Sequence, residues 1–495
     1  MKRIVIIGGG ISGLAAAHRL LERSLESGNK IDLTILEAGS RVGGIVQTRE
    51  RDGFLLESGP DSFISEKPAA LALVKRVGLE SHLIETNKDH RRSFIVRQGR
   101  LLPVPEGFQL LAPSRWWPFV KSDIFSWSGK ARMAFELVLP RRRLNGNNSE
   151  ESLAEFVRRR LGNEALERMA QPMVGGIYTA DPERLSLQAT MPRFLDMERD
   201  HRSLIRALRK QNRQTGSVVE SETNTETSGA RYSLFLSFDR GMQVLTDTLE
   251  KRISSLGTQL SPGMPSGQTT IRVNTAIDSI TPAEKVGGRA PKWKLKTSDN
   301  ETLLADAICV ALPAYISSRL LGTVDPQLAA ELEEISYASS ATINLGFRRD
   351  YIPHPLDGFG FVVPFIEKRS LIACTFSSVK FAGRAPAGQV LLRAFVGGAL
   401  QPEILALDKD ELLGRVLGDL RELLGIEKAP LFTEVTRWER SMPQYHVGHV
   451  ARVQQIEARV ASLPGLVLAG NAYSGLGIPD CIRSGEAAAD RIFEN

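Results

Sequence analysis

Gly8, Gly10 and Gly13 stand in the spacing G-x-G-x-x-G, between the apolar run Ile4-Val5-Ile6-Ile7 and a helix-like stretch from Leu14 to Leu20. The first glycine permits a sharp turn, the second lets a diphosphate approach the backbone, and the third lets strand and helix pack closely. The helix N-terminus aims unsatisfied N–H groups and the positive end of its dipole at the same gap. A second apolar run, Ile31 to Leu36, ends in Glu37, whose carboxylate can accept hydrogen bonds from both hydroxyls of a ribose. A glycine-rich turn alone is an ordinary β–α connection. Strand, turn, helix, strand and terminal acid in that order predict a dinucleotide site.

The other end of the chain carries a related signature. Leu466-Val467-Leu468-Ala469-Gly470-Asn471 is followed by Gly475-Leu476-Gly477-Ile478-Pro479-Asp480-Cys481 and a helical run from Ile482 to Ile492. A strand, a glycine turn and a helix N-terminus again suit anionic or dipolar atoms. Cofactor-binding pieces at both ends predict a domain assembled from discontinuous segments. Other chemistries find no support. Cys309, Cys374 and Cys481 lie far apart without C-x-x-C, the seven histidines include no H-E-x-x-H, and no Ser-His-Asp or Cys-His arrangement emerges. No metal site is expected, and the cysteine usage fits a reducing cytosol.

Several elements must position these residues. At 495 residues the chain is long enough for two or three domains. Met1 leads straight into the first strand, so a chain that starts at the fold and stays in the cytoplasm is expected. Residues 149–208 read as helical, with an N-cap within Ser149–Ser152 and an apolar face on Leu153, Phe156, Val157 and Leu161. Residues 211–231 are polar and read as a surface loop. Phe235 to Met242 introduces a helix through Leu249, whereas Ile271–Ile277 and Ala307–Pro313 read as buried strands.

No stretch reaches the roughly 20 apolar residues that span a bilayer. Between Phe108 and Arg143, however, Trp116, Trp117 and Trp127 alternate with basic side chains. Such a pattern suits an interfacial membrane contact or, equally, a helical unit whose tryptophans fill its own core. The excess of 63 Lys plus Arg over 57 Asp plus Glu suits anionic lipid or an acidic substrate. No nucleic-acid partner is expected, because no basic run carries a reading motif.

Glu37-Ala38-Gly39-Ser40-Arg41-Val42-Gly43-Gly44, then Gly53-Phe54 and Glu57-Ser58-Gly59-Pro60, resemble the E-x-x-x-R-x-G-G extension of flavin oxidoreductases. Ile45 stands where an Arg is usual. More specific stretches are Gly59-Pro60-Asp61-Ser62-Phe63, Gly175–Pro182, Gly358–Pro364, Phe376–Phe381 leading to Arg384-Ala385-Pro386, and Phe395-Val396-Gly397-Gly398. On these stretches the chain resembles the protoporphyrinogen oxidase family over nearly its full length, apart from 211–231. The resemblance implies an α/β fold with three parts. A discontinuous Rossmann-like FAD domain of the p-hydroxybenzoate hydroxylase and amine oxidase type would take 1–88, 232–311 and 437–495. A helical, membrane-binding domain would take 89–210, and a mixed-sheet substrate domain 312–436.

The same resemblance implies oxidation of a porphyrinogen in two-electron steps, with flavin N5 accepting hydride, oxygen as final acceptor and no acid or base assigned. Protoporphyrinogen IX is favoured, with coproporphyrinogen III as the alternative. Val362, Thr375 and Phe395 would line the substrate slot, with Thr375 where some relatives have Leu. Gly175 and Gly176 would allow close backbone approach to the macrocycle. Arg92, or Arg91 if the register slips, would hold a propionate through its planar fork. FAD would be held by Gly8, Gly10, Ser12, Gly13, Glu37, Ala38, Arg41, Gly43, Gly44, Gly59, Pro60, Asp61, Ser62, Val273, Asn471, Leu476, Gly477 and Ile478. Peripheral contact with the inner face of a membrane, handover to a chelatase and a homodimer complete the expectations. The rival readings are a flavin amine oxidase and a non-catalytic carrier like the Rab escort and GDP-dissociation-inhibitor proteins.

Overall fold

The computed structural model describes every residue except 110, 143–149, 217–234, 261–268, 284–291 and 495. Its first strand, Lys2–Ile7, lies at the centre of a five-stranded parallel sheet in the order Thr269–Arg272, Ile31–Leu36, Lys2–Ile7, Ala307–Val310, Leu466–Leu468. Parallel strands are covered on both faces, which is why these segments read as continuous apolar runs. Alternation still decides which face each side chain meets. Ile4 and Ile6 join a core with Leu14, Leu20, Leu249, Ile253, Ile482 and Ile492, from the helices Ile11–Ser27, Gln243–Leu260 and Ile478–Glu494. Val5 and Ile7 face the other way, towards Trp293, Leu295, Leu320, Leu332 and Ile456.

The expected strand Ile271–Ile277 is broken. Thr269–Arg272 belongs to the parallel sheet, Asn274 takes a positive φ of 52°, and Ile277–Pro282 opens a separate three-stranded antiparallel sheet. The Asn274 and Thr275 N–H groups donate to the Gly39 and Glu37 carbonyls, which draws the chain out of the strand. Similarly, the strand expected to reach Pro313 stops at Val310, and Pro313 instead precedes the helix Ala314–Leu321.

A seven-stranded sheet runs in the order Phe432–Pro443, Tyr337–Arg348, Gln389–Gly397, Leu371–Phe376, Gly360–Val362, Phe94–Arg97, Arg100–Pro103. Only the Gly360–Val362 and Phe94–Arg97 pair is parallel. Residues 94–103 therefore extend this sheet, with Ile95 and Leu102 packed on the helical core, and Phe432–Pro443 crosses the boundary expected at residue 436. The helix Lys409–Leu424 buries Leu412, Val416 and Leu420 against the sheet.

A further core gathers helices between Trp116 and Gly216. The helix Leu153–Arg160 starts at Ser152, whose hydroxyl accepts from the Glu155 N–H while the Glu155 side chain accepts from the Ser152 N–H. Inside, Arg160 and Glu136 form a fully buried ion pair, and Glu136 also accepts from the Ser203 hydroxyl at 2.6 Å and the Leu204 N–H at 2.9 Å. These extra donors satisfy the remaining carboxylate lone pairs, a condition for tolerating a buried pair. The last helix, Leu204–Gly216, converts the first residues of the expected polar loop into helix, and 217–231 lie outside the described residues.

Candidate functional site

The glycine turn assigns a separate task to each glycine. Gly8 adopts a φ of +105°, and a Cβ there would lie 2.5 Å from the Ala311 carbonyl oxygen. A Cβ at Gly13 would collide with the Gly8 carbonyl oxygen, so helix and strand can approach this closely only without one. At Gly10 a Cβ would meet nothing within 4 Å, and the helix Ile11–Ser27 begins there with no side-chain cap. Open space in front of an uncapped helix N-terminus is what a diphosphate requires. Ser12 is buried at the start of the same helix.

Glu37 lies beside this turn. Its two carboxylate oxygens accept from the Gly9 N–H at 2.8 Å and the Gly39 N–H at 2.7 Å, which fixes the acid at the strand end. The backbone around Val273 is stitched to Glu37 and Gly39, and Ala38 is exposed. Gly43 donates to the Gly9 carbonyl at 2.8 Å, and a Cβ on Gly44 would come within 3.4 Å of Gly10. Arg41 reaches back into the same turn. Its guanidinium donates to the carbonyls of Val42, Val46 and Gly44, so it closes the glycine-pair turn.

From this turn a cavity of about 2190 Å³ runs between the two large sheets and the helical core. Ile11, Ile45 and Val46 line its glycine-turn end, with Gly59, Pro60, Asp61, Ser62, Asn471, Leu476, Gly477 and Ile478. Gly8, Gly10, Glu37 and Val273 lie outside that lining. Asp61 pairs with Lys380 at 2.9 Å and with the Ser62 hydroxyl at 2.7 Å. Burial would raise the Asp61 carboxyl, but the charges of Lys380 and Arg393 overcome it and hold the group far below the usual carboxylate range.

The Ser58–Gly59 backbone is held from three strands. Thr342 donates to the Ser58 carbonyl at 2.9 Å, the Trp438 indole N–H donates to it at 2.9 Å, and the buried Arg393 donates to Gly59. On the far side the Tyr445 hydroxyl donates to the Asn471 carbonyl at 2.6 Å and accepts from the Gly475 N–H at 2.7 Å. The Tyr445 ring stacks on His449 at 4.0 Å, and His449 meets the Tyr473 carbonyl at 3.1 Å. The turn before the helix Ile478–Glu494 is thus clamped.

Val362, Thr375 and Phe395 all line the cavity. Gly176 lines it too, where a Cβ would lie 3.6 Å from Val362, whereas Gly175 is buried behind it, towards Gln171. Both glycines sit within the helix Gln171–Tyr178. Arg92 lies outside the cavity. Its guanidinium is bound by the Asp357 carboxylate and donates to the Asp357 carbonyl at 2.7 Å. Arg91 does not line the cavity either.

Lining residues that sequence reasoning missed include Arg115, Arg193, Arg209, Arg393 and Trp438. Arg393 had a signal: two residues before Phe395 on one strand, it must face the same side, and its guanidinium sits 4.8 Å from that ring. The others had none, since their directions depend on distant packing. Among the described residues no group of His, Cys, Asp and Glu could hold a metal ion.

The family model for flavin-containing amine oxidoreductases matches residues 11–493. A coproporphyrinogen III oxidase of Bacillus subtilis is 36% identical over 488 residues, covering 98% of this chain and 97% of that protein. The chloroplastic protoporphyrinogen oxidase of Nicotiana tabacum is 30% identical, covering 99% of this chain and 85% of that protein. A solved structure of a putative protoporphyrinogen oxidase from Exiguobacterium superposes with a TM-score of 0.82 at 31% identity, covering 100% and 99% of the two chains. Reduced UDP-galactopyranose mutase, at 16% identity and a TM-score of 0.68 over 100% of this chain and 94% of that one, shares the fold.

Proposed function

The chain belongs to the family of flavin-containing amine oxidoreductases, and from that premise we propose that its cavity takes coproporphyrinogen III and oxidises it to the porphyrin. The protein is an FAD-dependent oxidoreductase of the porphyrinogen-oxidising kind. What carries the choice of substrate is the full-length similarity to coproporphyrinogen III oxidases, at 36% and 35% identity in two bacterial proteins. Protoporphyrinogen IX is the second reading, favoured by the plant relatives at 30% and below.

In this reading the open backbone at Gly10 and the first turn of Ile11–Ser27 hold the diphosphate, and Glu37 the ribose. The turn clamped by Tyr445 and the start of Ile478–Glu494 would hold the ring end of FAD. When bound, FAD supplies a two-electron acceptor. The chain's own part is to seat a flat macrocycle on Phe395, Val362 and Thr375 and to keep water from it. Asp61 and Lys380 neutralise each other at the wall, so neither is offered as a base.

In the same reading oxygen is the acceptor, the chain divides into three parts, product passes to a chelatase and the protein is a homodimer. In it, Trp117 and Trp127, which are 68% and 74% exposed, make peripheral membrane contact. No described helix is long and apolar enough to cross a membrane. Aerobic assay of the purified holoenzyme with both porphyrinogens, read by porphyrin fluorescence, is the test. Faster turnover of coproporphyrinogen III is expected; oxidation of neither substrate would overturn the reading.

A further inference from the structure

The charges gathered around the segment Ser58–Ser62 do not cancel in contact pairs. Asp61 meets Lys380 at 2.9 Å, but the buried Glu57 accepts from neutral donors, the Met242 N–H and the Thr48 hydroxyl, both at 2.8 Å. The buried Arg384 donates to the Ser237 hydroxyl and the Phe238 carbonyl, each at 2.9 Å. The buried Arg393 donates to the Ser58 and Gly59 carbonyls, and its Nε has no hydrogen-bond partner among the described residues. Three cations thus stand with two carboxylates. Of the two arginines only Arg393 lines the cavity.

Arg393 stands where the substrate slot meets the flavin-side segment. Within the sheet it pairs in register with Thr375 on one side and Asn344 on the other, and its guanidinium lies 4.8 Å from the centre of the Phe395 ring. In the other direction it holds Gly59, and the segment that follows reaches the start of the helix Ile478–Glu494, where Lys67 meets Asp480 at 2.5 Å. Burial lowers the Arg393 guanidinium from its usual value, opposed by the fields of Asp61 and Glu57, and an arginine stays charged in a protein. A buried cation whose contacts are neutral carbonyls costs stability. Folds keep such costs where a functional site uses the charge.

Resting on the FAD-dependent reading, we propose that Arg393 sets a positive field at the ring end of FAD and so favours its reduction. Each two-electron step breaks a C–H bond of the macrocycle, delivers the bonding pair with its hydrogen to FAD and releases a proton to water. Negative charge therefore arrives on the flavin side of the slot. A cation fixed where charge develops stabilises it without reorganising at the moment of reaction. Asp61, on the same wall, contributes the opposite sign, so the two residues act in opposite directions on the same quantity.

Sulfite tests this without any porphyrinogen, because it adds to oxidised FAD as an anion and its binding, read by bleaching of the flavin absorbance, follows the local field. Holoenzyme carrying Arg393→Met, Arg393→Lys, Asp61→Asn or Arg393→Met with Asp61→Asn is titrated with sulfite, and the midpoint potential is measured by dye-coupled reduction. Arg393→Met should weaken sulfite binding about tenfold or more. The same factor lowers a two-electron midpoint potential by about 30 mV. Arg393→Lys should stay within about threefold of wild type, because the ammonium keeps the charge and loses only the fork. Asp61→Asn should move both readouts the opposite way, and the double variant should return towards wild type. Shifts of one sign in Arg393→Met and Asp61→Asn, or equal shifts in Arg393→Met and Arg393→Lys, would show that shape and not charge is at work and overturn the inference. Where Arg393→Met does not retain FAD, Asp61→Asn decides alone: sulfite binding no tighter than in wild type overturns it. Wild-type protein that purifies without FAD and takes none up instead overturns the cofactor reading beneath it.

Discussion

Glu37 uses both carboxylate oxygens to hold the Gly9 and Gly39 N–H groups, so it shapes the turn as well as offering charge to a ribose. Glu37→Ala removes these charged hydrogen bonds, worth about 1.5–3 kcal/mol each. Titration of the stripped protein with FAD should therefore show weakening of roughly tenfold or more. Phe395→Ala should keep flavin content intact and lower porphyrinogen turnover, because it removes a stacking face worth about 0.5–1.5 kcal/mol beyond buried area. Unchanged kcat and KM would remove Phe395 from the site. Arg92→Ala, by contrast, should leave KM for either porphyrinogen within about twofold, since its partner is Asp357 and its exposed pair contributes about 0–1 kcal/mol to folding. A large KM rise confined to this variant would return Arg92 to the cavity.

At the scale of an element, the turn Asn471–Gly475 depends on a pair of stacked rings on another segment. Burial pushes the His449 imidazole down to about 4, despite the Tyr473 carbonyl beside it, so the folded protein holds this ring neutral. The unfolded chain binds that proton near pH 6.5. Stability from the neutral ring is therefore complete above about pH 6.5 and is lost as pH falls towards 4, about 2–3 kcal/mol by pH 4.5. Urea unfolding of wild type and His449→Gln at pH 7.5 and pH 4.5 isolates the effect, since other titrating groups are common to both. Wild type should lose that much more than the variant between the two pH values; parallel losses would show that His449 does not titrate with folding.

Over the whole molecule, several hydrophobic cores surround the cavity, and the surface of the helical one exposes Trp117 and Trp127 while Trp116 packs against Phe119. The two tryptophans have Lys121 and Lys130 within 4.9 Å and 4.4 Å of their rings, an arrangement suited to a lipid interface. Replacing Trp117 and Trp127 by Ser should reduce co-sedimentation with anionic vesicles without lowering the unfolding midpoint, whereas Trp116→Ser should lower the midpoint. Equal vesicle binding before and after the double change would assign the pair to solvent. Of the three tryptophans, one ring packs and two are exposed.

The chain's own order of residues determined the parallel sheet, the glycine turn and the paired signature at the two ends, because those depend on local constraints. Gly8 must reach a φ that a side chain disfavours, Gly13 must lack a Cβ, and apolar runs must be buried whatever their neighbours. Val362, Thr375 and Phe395 were legible through the motifs that hold them. The direction of each charge was not. Arg92 and Arg41 looked available until the structure supplied a carboxylate from Asp357, 265 residues away, and three turn carbonyls. Arg115, Arg193, Arg209, Arg393 and Arg483, which do line the cavity, come from five separate pieces of the chain. Which way a long flexible cation points depends on partners brought near only by tertiary packing, so the binding fold could be read from sequence but the direction of each cation could not.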